Sequence, residues 1–183
     1  SPGMQKYMRD LKPTVFADLI AMNALYRPGP LEYIPSFVRR KNGEEPITYD
    51  LDACEEYLKE TYGITVYQEQ VMQVVRDLGG YSYGRSDLVR RAMGKKKMDV
   101  MEEERQYFIH GKYDDEGNLE ISGCVRNGVS EEIGNKIFDD MIDFAKYAFN
   151  KSHAAAYGVL AYETAYLKAH YPVEFMAALI TSV

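Results

Sequence analysis

Apolar residues recur at the spacing of a helix face along most of this sequence, and glycine and proline interrupt the repeats. Val71, Val74, Val75 and Leu78 follow a period of about 3.6 residues that stops at Gly79. Similar helical patterns cover approximately residues 14–26, 35–41, 51–60, 98–110, 130–144, 152–170 and 172 onward. β-type patterns are confined to short stretches near 64–67 and 119–121. The fold class is therefore predicted to be mainly α, an irregular multi-helix domain with at most one small β-hairpin.

Hydroxyl residues mark several of the predicted helix starts. Thr14, Ser86, Ser130 and Ser152 each precede a helical pattern. A side-chain oxygen at such a position accepts a hydrogen bond from a first-turn amide. These four residues are therefore predicted to be N-caps, and Gly94 is predicted to end the helix that Ser86 begins.

One segment differs in character from the helices around it. Residues 111–128 contain the turn signal Asp114-Asp115-Glu116-Gly117-Asn118, followed by the alternating Leu119-Glu120-Ile121. This segment is predicted to form a hairpin excursion.

Composition limits the classes of protein to be considered. Of 183 residues, 46% are apolar and 27% are charged, which is ordinary for a soluble globular domain. No apolar run approaches the roughly eighteen residues of a membrane span, and no signal-peptide pattern opens the sequence. Cys54, Cys124 and the three histidines lack zinc-ligand spacing, so we expect a reducing, cytosolic compartment. The first residue is not methionine and the last residues are apolar, so we expect a piece of a longer chain.

Positive charge is concentrated between Arg85 and Lys97. This stretch holds six cationic side chains and one carboxylate, whereas the whole chain carries a net charge of −6. Arg91 and Lys95 are predicted to share a helix face, with Asp87 one turn before Arg91. Charge alone leaves two interpretations open, an anion-binding site and a solvated helix end that complements the helix dipole.

A second candidate anion site is the turn Asn150-Lys151-Ser152-His153. Lys151 and Ser152 are predicted to lie at a helix N-terminus, where unpaired amides and the dipole attract anions. A plain capped helix is the alternative. The pair Asp50 and Asp52 resembles a metal-binding arrangement, but it sits at a predicted helix start, where aspartate favours capping.

Four motifs together carry a family resemblance. In chain order they are Tyr26-Arg27-Pro28-Gly29-Pro30-Leu31, Tyr62-Gly63-Ile64 with Tyr67-Gln68-Glu69-Gln70-Val71-Met72, Arg90-Arg91-Ala92-Met93-Gly94-Lys95-Lys96, and Phe149-Asn150-Lys151-Ser152-His153. With these motifs the sequence resembles the fingers region of the alpha subunit of bacterial DNA polymerase III, in the C family of replicative polymerases. The resemblance covers nearly the whole chain and is weakest over 111–128.

The resemblance implies a fingers-domain fragment over 1–183, with 1–30 as the junction that follows the palm. It implies that the fragment binds the triphosphate of an incoming dNTP and the nascent base pair. The nucleotide-binding residues implied are Arg90, Arg91, Phe149, Asn150, Lys151, Ser152 and His153. Arg27, Lys95 and Lys96 are implied as further DNA or phosphate contacts.

The same resemblance implies no catalytic residue in this chain, because the family's metal-binding carboxylates lie in the palm. Mg²⁺ is the implied metal ion, and the implied partners are primer–template DNA, the rest of the subunit and the replisome, with no membrane. The alternative is a helical module that binds the DNA backbone or another replisome protein without nucleotide selectivity.

Overall fold

The structure, a computed structural model, describes residues 1–95 and 97–182. Within these residues the chain forms ten α-helices and one two-stranded antiparallel hairpin. The elements are α1 (Pro2–Leu11), α2 (Phe16–Leu25), α3 (Ile34–Lys41), α4 (Glu55–Leu58), α5 (Gln68–Gly79), α6 (Tyr83–Gly94), α7 (Met98–His110), β1 (Lys112–Tyr113), β2 (Leu119–Ile121), α8 (Glu131–Ala145), α9 (Lys151–His170) and α10 (Pro172–Thr181). The prediction of a mainly α fold with one small hairpin is confirmed.

The helices pack around two apolar cores. The larger core is formed by α5 to α8 with the hairpin, and Val75, Val89 and Phe108 are fully buried in it. The smaller core joins α1, α2 and α3 to the start of α9, and it includes Phe37 and Ala154. Burial of apolar side chains in both places supplies the main driving force for folding.

The segment that leads into α5 connects the two cores. Tyr67 belongs to the smaller core, whereas the apolar side of α5 belongs to the larger one. The buried Gln70 holds this segment, because its Oε1 accepts from the amides of Val66 and Tyr67 at 2.8 and 2.9 Å. Its Nε2 donates to the Tyr57 carbonyl and to Thr61 Oγ1. Gln70 therefore bonds the N-terminus of α5 both to the segment that precedes it and to the chain around Tyr57 and Thr61.

Three of the predicted helix caps are wrong. Ser82, not Ser86, caps α6, and the Ser86 hydroxyl donates to the Tyr83 carbonyl at 2.7 Å from inside the helix. Asn150, not Ser152, caps α9. Thr14 does not cap α2, whose N-cap residue is Val15. Several polar residues near each start compete for the same amides, and tertiary packing decides among them.

The cap of α2 is supplied from inside that helix. The carboxylate of Asp18 accepts from the amides of Thr14 and Val15 at 2.9 and 3.3 Å. Asp18 is fully buried, and Tyr62 Oη donates to it at 2.8 Å. The Asp18 carboxylate thus pairs the amides of the two residues that precede the first turn of α2.

Residues 51–60 do not form the predicted single helix. The chain makes a 3₁₀ turn over Asp52–Cys54, the four-residue α4, and a second 3₁₀ turn over Lys59–Thr61. Tyr62 then adopts a left-handed conformation with φ 54°. Thr61, the last residue of the second 3₁₀ turn, accepts a hydrogen bond from Gln70 Nε2 at 2.8 Å.

The hairpin projects at its tip and is anchored at its base. Asp114 accepts hydrogen bonds from the amides of Glu116 and Asn118, which shape the exposed turn. On the return, the Gly123 amide donates to the Gly79 carbonyl at 2.9 Å. Ile121 and Cys124 are fully buried in the larger core, so the segment is part of the packed fold.

The buried residues of α9 lie near its start. Ala154 and Gly158 are buried against α2, where a β-carbon at Gly158 would lie 3.3 Å from Ile20 Cγ1. Beyond Gly158 the side chains of α9 are exposed, as are nearly all of those of α10. Across residues 1–95 and 97–182, none of the helices has both the length and the apolar character needed to cross a bilayer.

Candidate nucleotide site

The two predicted anion-binding motifs flank the N-terminus of α5. On one side, Tyr67 and Phe149 form an isolated parallel bridge, and the Gln68 amide donates to the Phe149 carbonyl at 2.9 Å. On the other side, α6 packs against α5, and a β-carbon at Gly94 would lie 3.9 Å from Gln68 Nε2. The basic end of α6 and the start of α9 therefore share one neighbour, Gln68.

The first turn of α9 is held by a carboxylate from α5. Asn150 Oδ1 accepts from the His153 amide at 2.9 Å, while Asn150 Nδ2 donates to Glu69 at 2.8 Å. The Lys151 amide donates to both oxygens of Glu69, at 3.2 and 3.0 Å. Ser152 occupies the second position of the helix and is exposed. Hydrogen bonds to Glu69 therefore hold the turn on the side of α5, and Ser152 faces solvent.

The Lys151 side chain lies beside the same turn. Its Nζ donates to Glu60 at 2.6 Å and lies 5.3 Å from the centre of the Tyr67 ring. Both members of the ion pair are more than a third exposed, Lys151 at 37% and Glu60 at 41%. Such an exposed pair is weak, so Lys151 can exchange Glu60 for another anion.

Aromatic rings form the surface next to this turn. His153 packs between Phe149 and Tyr157, with ring centres 5.4 and 4.8 Å away. A pocket of about 180 Å³ opens here, lined by Asn23, Phe149, His153, Ala154 and Tyr157. Aromatic faces of this kind suit stacking with a nucleobase.

The guanidinium of Arg27 packs against the ring of Phe149. Its guanidinium carbon lies 4.1 Å from the centre of the Phe149 ring, and burial lowers the pKa of Arg27. The guanidinium donates to the carbonyls of Ala24 and Tyr147 at 2.8 and 2.7 Å. These bonds connect the end of α2 to the turn before α9. A contact between Arg27 and phosphate stays a prediction.

Arg90 and Arg91 lie near the end of α6 and share one carboxylate. Each donates through Nε to a different oxygen of Asp87, at 2.7 Å in both cases. The hydrogen bond from Arg90, together with the nearby positive charges, lowers the pKa of Asp87. Each Asp87 bond uses Nε, so the terminal guanidinium nitrogens can still donate to an anion. Asp87 and Arg91, placed one helical turn apart by the sequence pattern, are therefore in contact.

The other cations of the basic stretch have different surroundings. Arg85 is directed into the protein, where it donates to Glu104 at 2.7 Å. The Glu104 carboxylate is buried and also accepts from Tyr81 Oη, and burial raises the pKa of Glu104. Lys95 is exposed just after α6, and Lys96 lies outside the described residues. Less of the local charge is therefore available to a ligand than the sequence suggests.

The described residues contain no grouping of three or more His, Cys, Asp or Glu side chains that could hold a metal ion. Asp50, considered above with Asp52, forms an ion pair with Lys136. Burial and the neighbouring Asp50 raise the pKa of Asp140. Asp52 begins a 3₁₀ turn whose N-cap residue is Leu51, with no side-chain cap, so the predicted capping role of the two aspartates is wrong.

Sequence reasoning missed the acidic partners at this site. Glu69 lies inside a motif that carries the family resemblance, but nothing local gives it a role. Glu60 lies in a stretch predicted to be an ordinary helix. Both approach Lys151 from positions more than eighty residues earlier in the chain, so the local pattern could not reveal these contacts.

Comparison with known proteins places this chain in a family. Residues 1–116 match the family described as the bacterial DNA polymerase III alpha subunit finger domain. The chain is 52% identical to the DNA polymerase III subunit alpha of Chlamydia pneumoniae over 181 residues, which cover 99% of this chain and 14% of that protein.

Two further relatives agree. Over 186 residues, the chain is 50% identical to the same subunit of Thermus aquaticus, covering 99% of this chain and 14% of the relative. For Bacillus subtilis the identity is 43% over 183 residues, covering 100% of this chain and 15% of the relative. The chain thus spans about one seventh of the length of these proteins. It belongs to the family of bacterial DNA polymerase III alpha subunit finger domains.

Proposed function

We propose that this chain binds the triphosphate of the incoming dNTP, and the nascent base pair, in a replicative DNA-directed DNA polymerase. The observation that carries this proposal is the meeting of two motifs at the N-terminus of α5. Gly94, three residues after Arg91 at the end of α6, lies beside Gln68, and the Gln68 amide donates to Phe149 in the turn before α9. One motif offers guanidinium groups, and the other offers a helix N-terminus beside aromatic rings.

The cations are proposed to bind the phosphate groups. Terminal nitrogens of Arg90 and Arg91 suit bidentate contacts with phosphate oxygens. The Lys151 ammonium and the Ser152 hydroxyl and amide, at the start of α9, suit a second phosphate. These groups would neutralise charge that develops on the leaving pyrophosphate during in-line phosphoryl transfer. Their role is positioning and electrostatic stabilisation, without covalent chemistry.

The aromatic surface is proposed to face the nascent base pair. Phe149 and His153 lie next to the proposed phosphate-binding turn, so a nucleotide held there brings its base towards them. Arg27 beneath Phe149 keeps the ring in place through its two bonds to carbonyls. Stacking of a base on an aromatic ring contributes about 1–3 kcal/mol.

The complete subunit is proposed to supply the rest of the reaction. Mg²⁺ would be held by carboxylates of the palm and would neutralise phosphate charge there. The described residues of this chain do not form such a metal site, so no step is assigned to a metal ion here. Primer–template DNA and the replisome are the proposed partners of the complete protein.

The test is substitution of the two arginines in the complete subunit. Arg90→Ala or Arg91→Ala is expected to lower kcat/KM for dNTP incorporation about ten- to a hundred-fold, because a hydrogen bond to a charged group contributes about 1.5–3 kcal/mol. Arg126→Ala is the control, since Arg126 lies in the hairpin segment and donates to Tyr113. Single-turnover primer extension measures the effect.

The alternative function predicts a different result. A module that only binds the DNA backbone would lose DNA affinity steeply and linearly in log salt, with no selectivity for nucleotides. Charge reversal, Arg90→Glu with Arg91→Glu, separates the two. Primer extension at a normal rate by that variant would contradict the proposed triphosphate contacts.

A further inference from the structure

We propose that Glu69 is a positioning residue for nucleotide binding, which aligns the first turn of α9 with α5. This inference rests on the proposed function, because it concerns the same turn. Glu69 is the second residue of α5, and its carboxylate reaches the first turn of α9. It would not touch the nucleotide itself, but would act through Asn150 and the Lys151 amide.

The contacts of Glu69 determine the orientation of Asn150. Asn150 Nδ2 donates to Glu69 at 2.8 Å, and Asn150 Oδ1 accepts from the His153 amide at 2.9 Å. The side-chain amide is thus held at both ends, and it cannot rotate without losing both bonds. Glu69 also accepts from the Lys151 amide with both oxygens. Three donors of one turn are therefore bound, directly or through Asn150, to one carboxylate.

The helix that carries Glu69 is a rigid reference. Val71 and Val75 of α5 are fully buried in the larger core, and Gln70 is held by four hydrogen bonds. The backbone bond from Gln68 to Phe149 gives a second connection to the turn before α9. Because a misplacement of about 1 Å can slow a positioned reaction about a hundred-fold, such a double connection matters for the geometry of the turn.

Glu60 makes a matched comparison with Glu69. Both carry one negative charge near Lys151, so their long-range repulsion of a triphosphate is similar. Glu60, however, bonds only to the exposed Nζ of Lys151, and no bond joins it to the backbone of α9 among the described residues. Removing Glu60 would free a cation for phosphate, whereas removing Glu69 would release the turn. The two substitutions should therefore shift the KM for dNTP in opposite directions.

The experiment uses the complete polymerase subunit with primer–template, Mg²⁺ and dNTPs. Glu69→Ala is expected to raise the KM for dNTP about tenfold, and Glu69→Gln less, because the amide oxygen still accepts a hydrogen bond. Glu60→Gln is expected to lower the KM by up to about threefold. Melting temperature and primer–template affinity are measured in parallel, and both are expected to stay close to those of the parent protein.

A double substitution tests the route through Asn150. If Glu69 acts through Asn150, Glu69→Ala combined with Asn150→Ala should raise the KM little more than Asn150→Ala alone. Equal downward shifts of the KM in Glu69→Gln and Glu60→Gln would overturn the inference, since Glu69 would then only compete with phosphate. If Glu69→Ala fails to fold, the KM values for dNTP of Glu69→Gln and Glu60→Gln still test the inference, because it predicts shifts in opposite directions.

Failure of the inference is distinguishable from failure of the proposed function. If Arg90→Ala and Ser152→Ala raise the KM or lower kcat/KM while Glu69→Ala changes neither, only the positioning role is wrong. If Arg90→Ala, Ser152→Ala and Asn150→Ala all leave dNTP incorporation unchanged, the proposed nucleotide site is wrong, and the inference with it.

Discussion

At the scale of single residues, arginines on the same helix have different carboxylate partners and different exposure. Arg85 and Arg90 are five positions apart on α6, yet Arg85 is largely buried against Glu104, whereas the more exposed Arg90 pairs with Asp87. The contact between Asp87 and Arg91 was predictable, because it spans one helical turn. The contact between Arg85 and Glu104 was not, because it joins two helices.

The Arg85–Glu104 pair should be a strong determinant of stability. Glu104→Ala leaves a largely buried guanidinium without its closest carboxylate, which costs about 3–5 kcal/mol for a buried pair. Urea unfolding of this chain, followed by circular dichroism, measures the free energy of unfolding. Glu120→Ala is the control, because Glu120 is 36% exposed and lies 3.8 Å from Arg85, so its loss should cost less than about 1 kcal/mol.

Glu45 should make the stability depend on pH. Hydrogen bonds from Ser36 and Arg40 lower the pKa of Glu45 from 4.5 to about 2. The folded state therefore binds this proton more weakly than the unfolded state, so the contribution of Glu45 is complete above pH 4.5 and is lost as the pH falls towards 2. Glu45→Gln should flatten the fall of unfolding free energy in that range. An unchanged slope would contradict the assignment.

At the scale of elements, amphipathic patterns located the helices better than they located the helix ends. α7 spans Met98–His110 and α3 ends at Lys41, as the patterns predicted. The cap of α9 was misplaced from Asn150 to Ser152, because both side chains can accept an amide hydrogen bond. α1 was missed, since only Leu11 is buried in it and its apolar pattern is short.

A side chain at Gly123, at the base of the hairpin, should destabilise the fold. This glycine has φ +82°, and a β-carbon on it would lie 2.4 Å from the Gly111 nitrogen. Gly117 is the matched control, because it has φ +84° with nothing within 4 Å. Gly117→Ala should cost about 1–2 kcal/mol from backbone strain alone. Gly123→Ala should cost about 1–3 kcal/mol more, from the clash, as measured by thermal unfolding.

At the scale of the whole molecule, the candidate site lies where the two cores meet. The motifs could be identified in the sequence through their family resemblance. Their shared contact with Gln68, at the start of α5, could not be predicted from it. Glu69 and Lys151 are separated by 82 residues, and no local pattern predicts a contact over that distance. Arg90 and Arg91 belong to α6, whose buried residues lie in the larger core, and Phe149 packs against the smaller core.

The isolated chain is expected to fold and to be inactive as a polymerase. With primer–template, Mg²⁺ and all four dNTPs it should extend no primer, because the proposed catalytic carboxylates belong to the palm. Gel analysis of a labelled primer checks this, with the complete subunit as the positive control. Metal-dependent extension by the chain alone, lost in an Arg90→Ala variant, would show that the carboxylates lie within it.

The carboxylate of Asp87 has a further consequence for binding. Arginine side chains have many rotamers, and ordering each one at a binding site costs about 0.5–1.5 kcal/mol. Asp87 already restrains both Arg90 and Arg91 through their Nε atoms. Arg90, whose side chain is 32% exposed, therefore loses part of this entropy during folding, whereas Arg91 is 63% exposed and is restrained less. If Arg90 contacts a triphosphate as proposed, its guanidinium would therefore need less further ordering on binding than an unpaired arginine would.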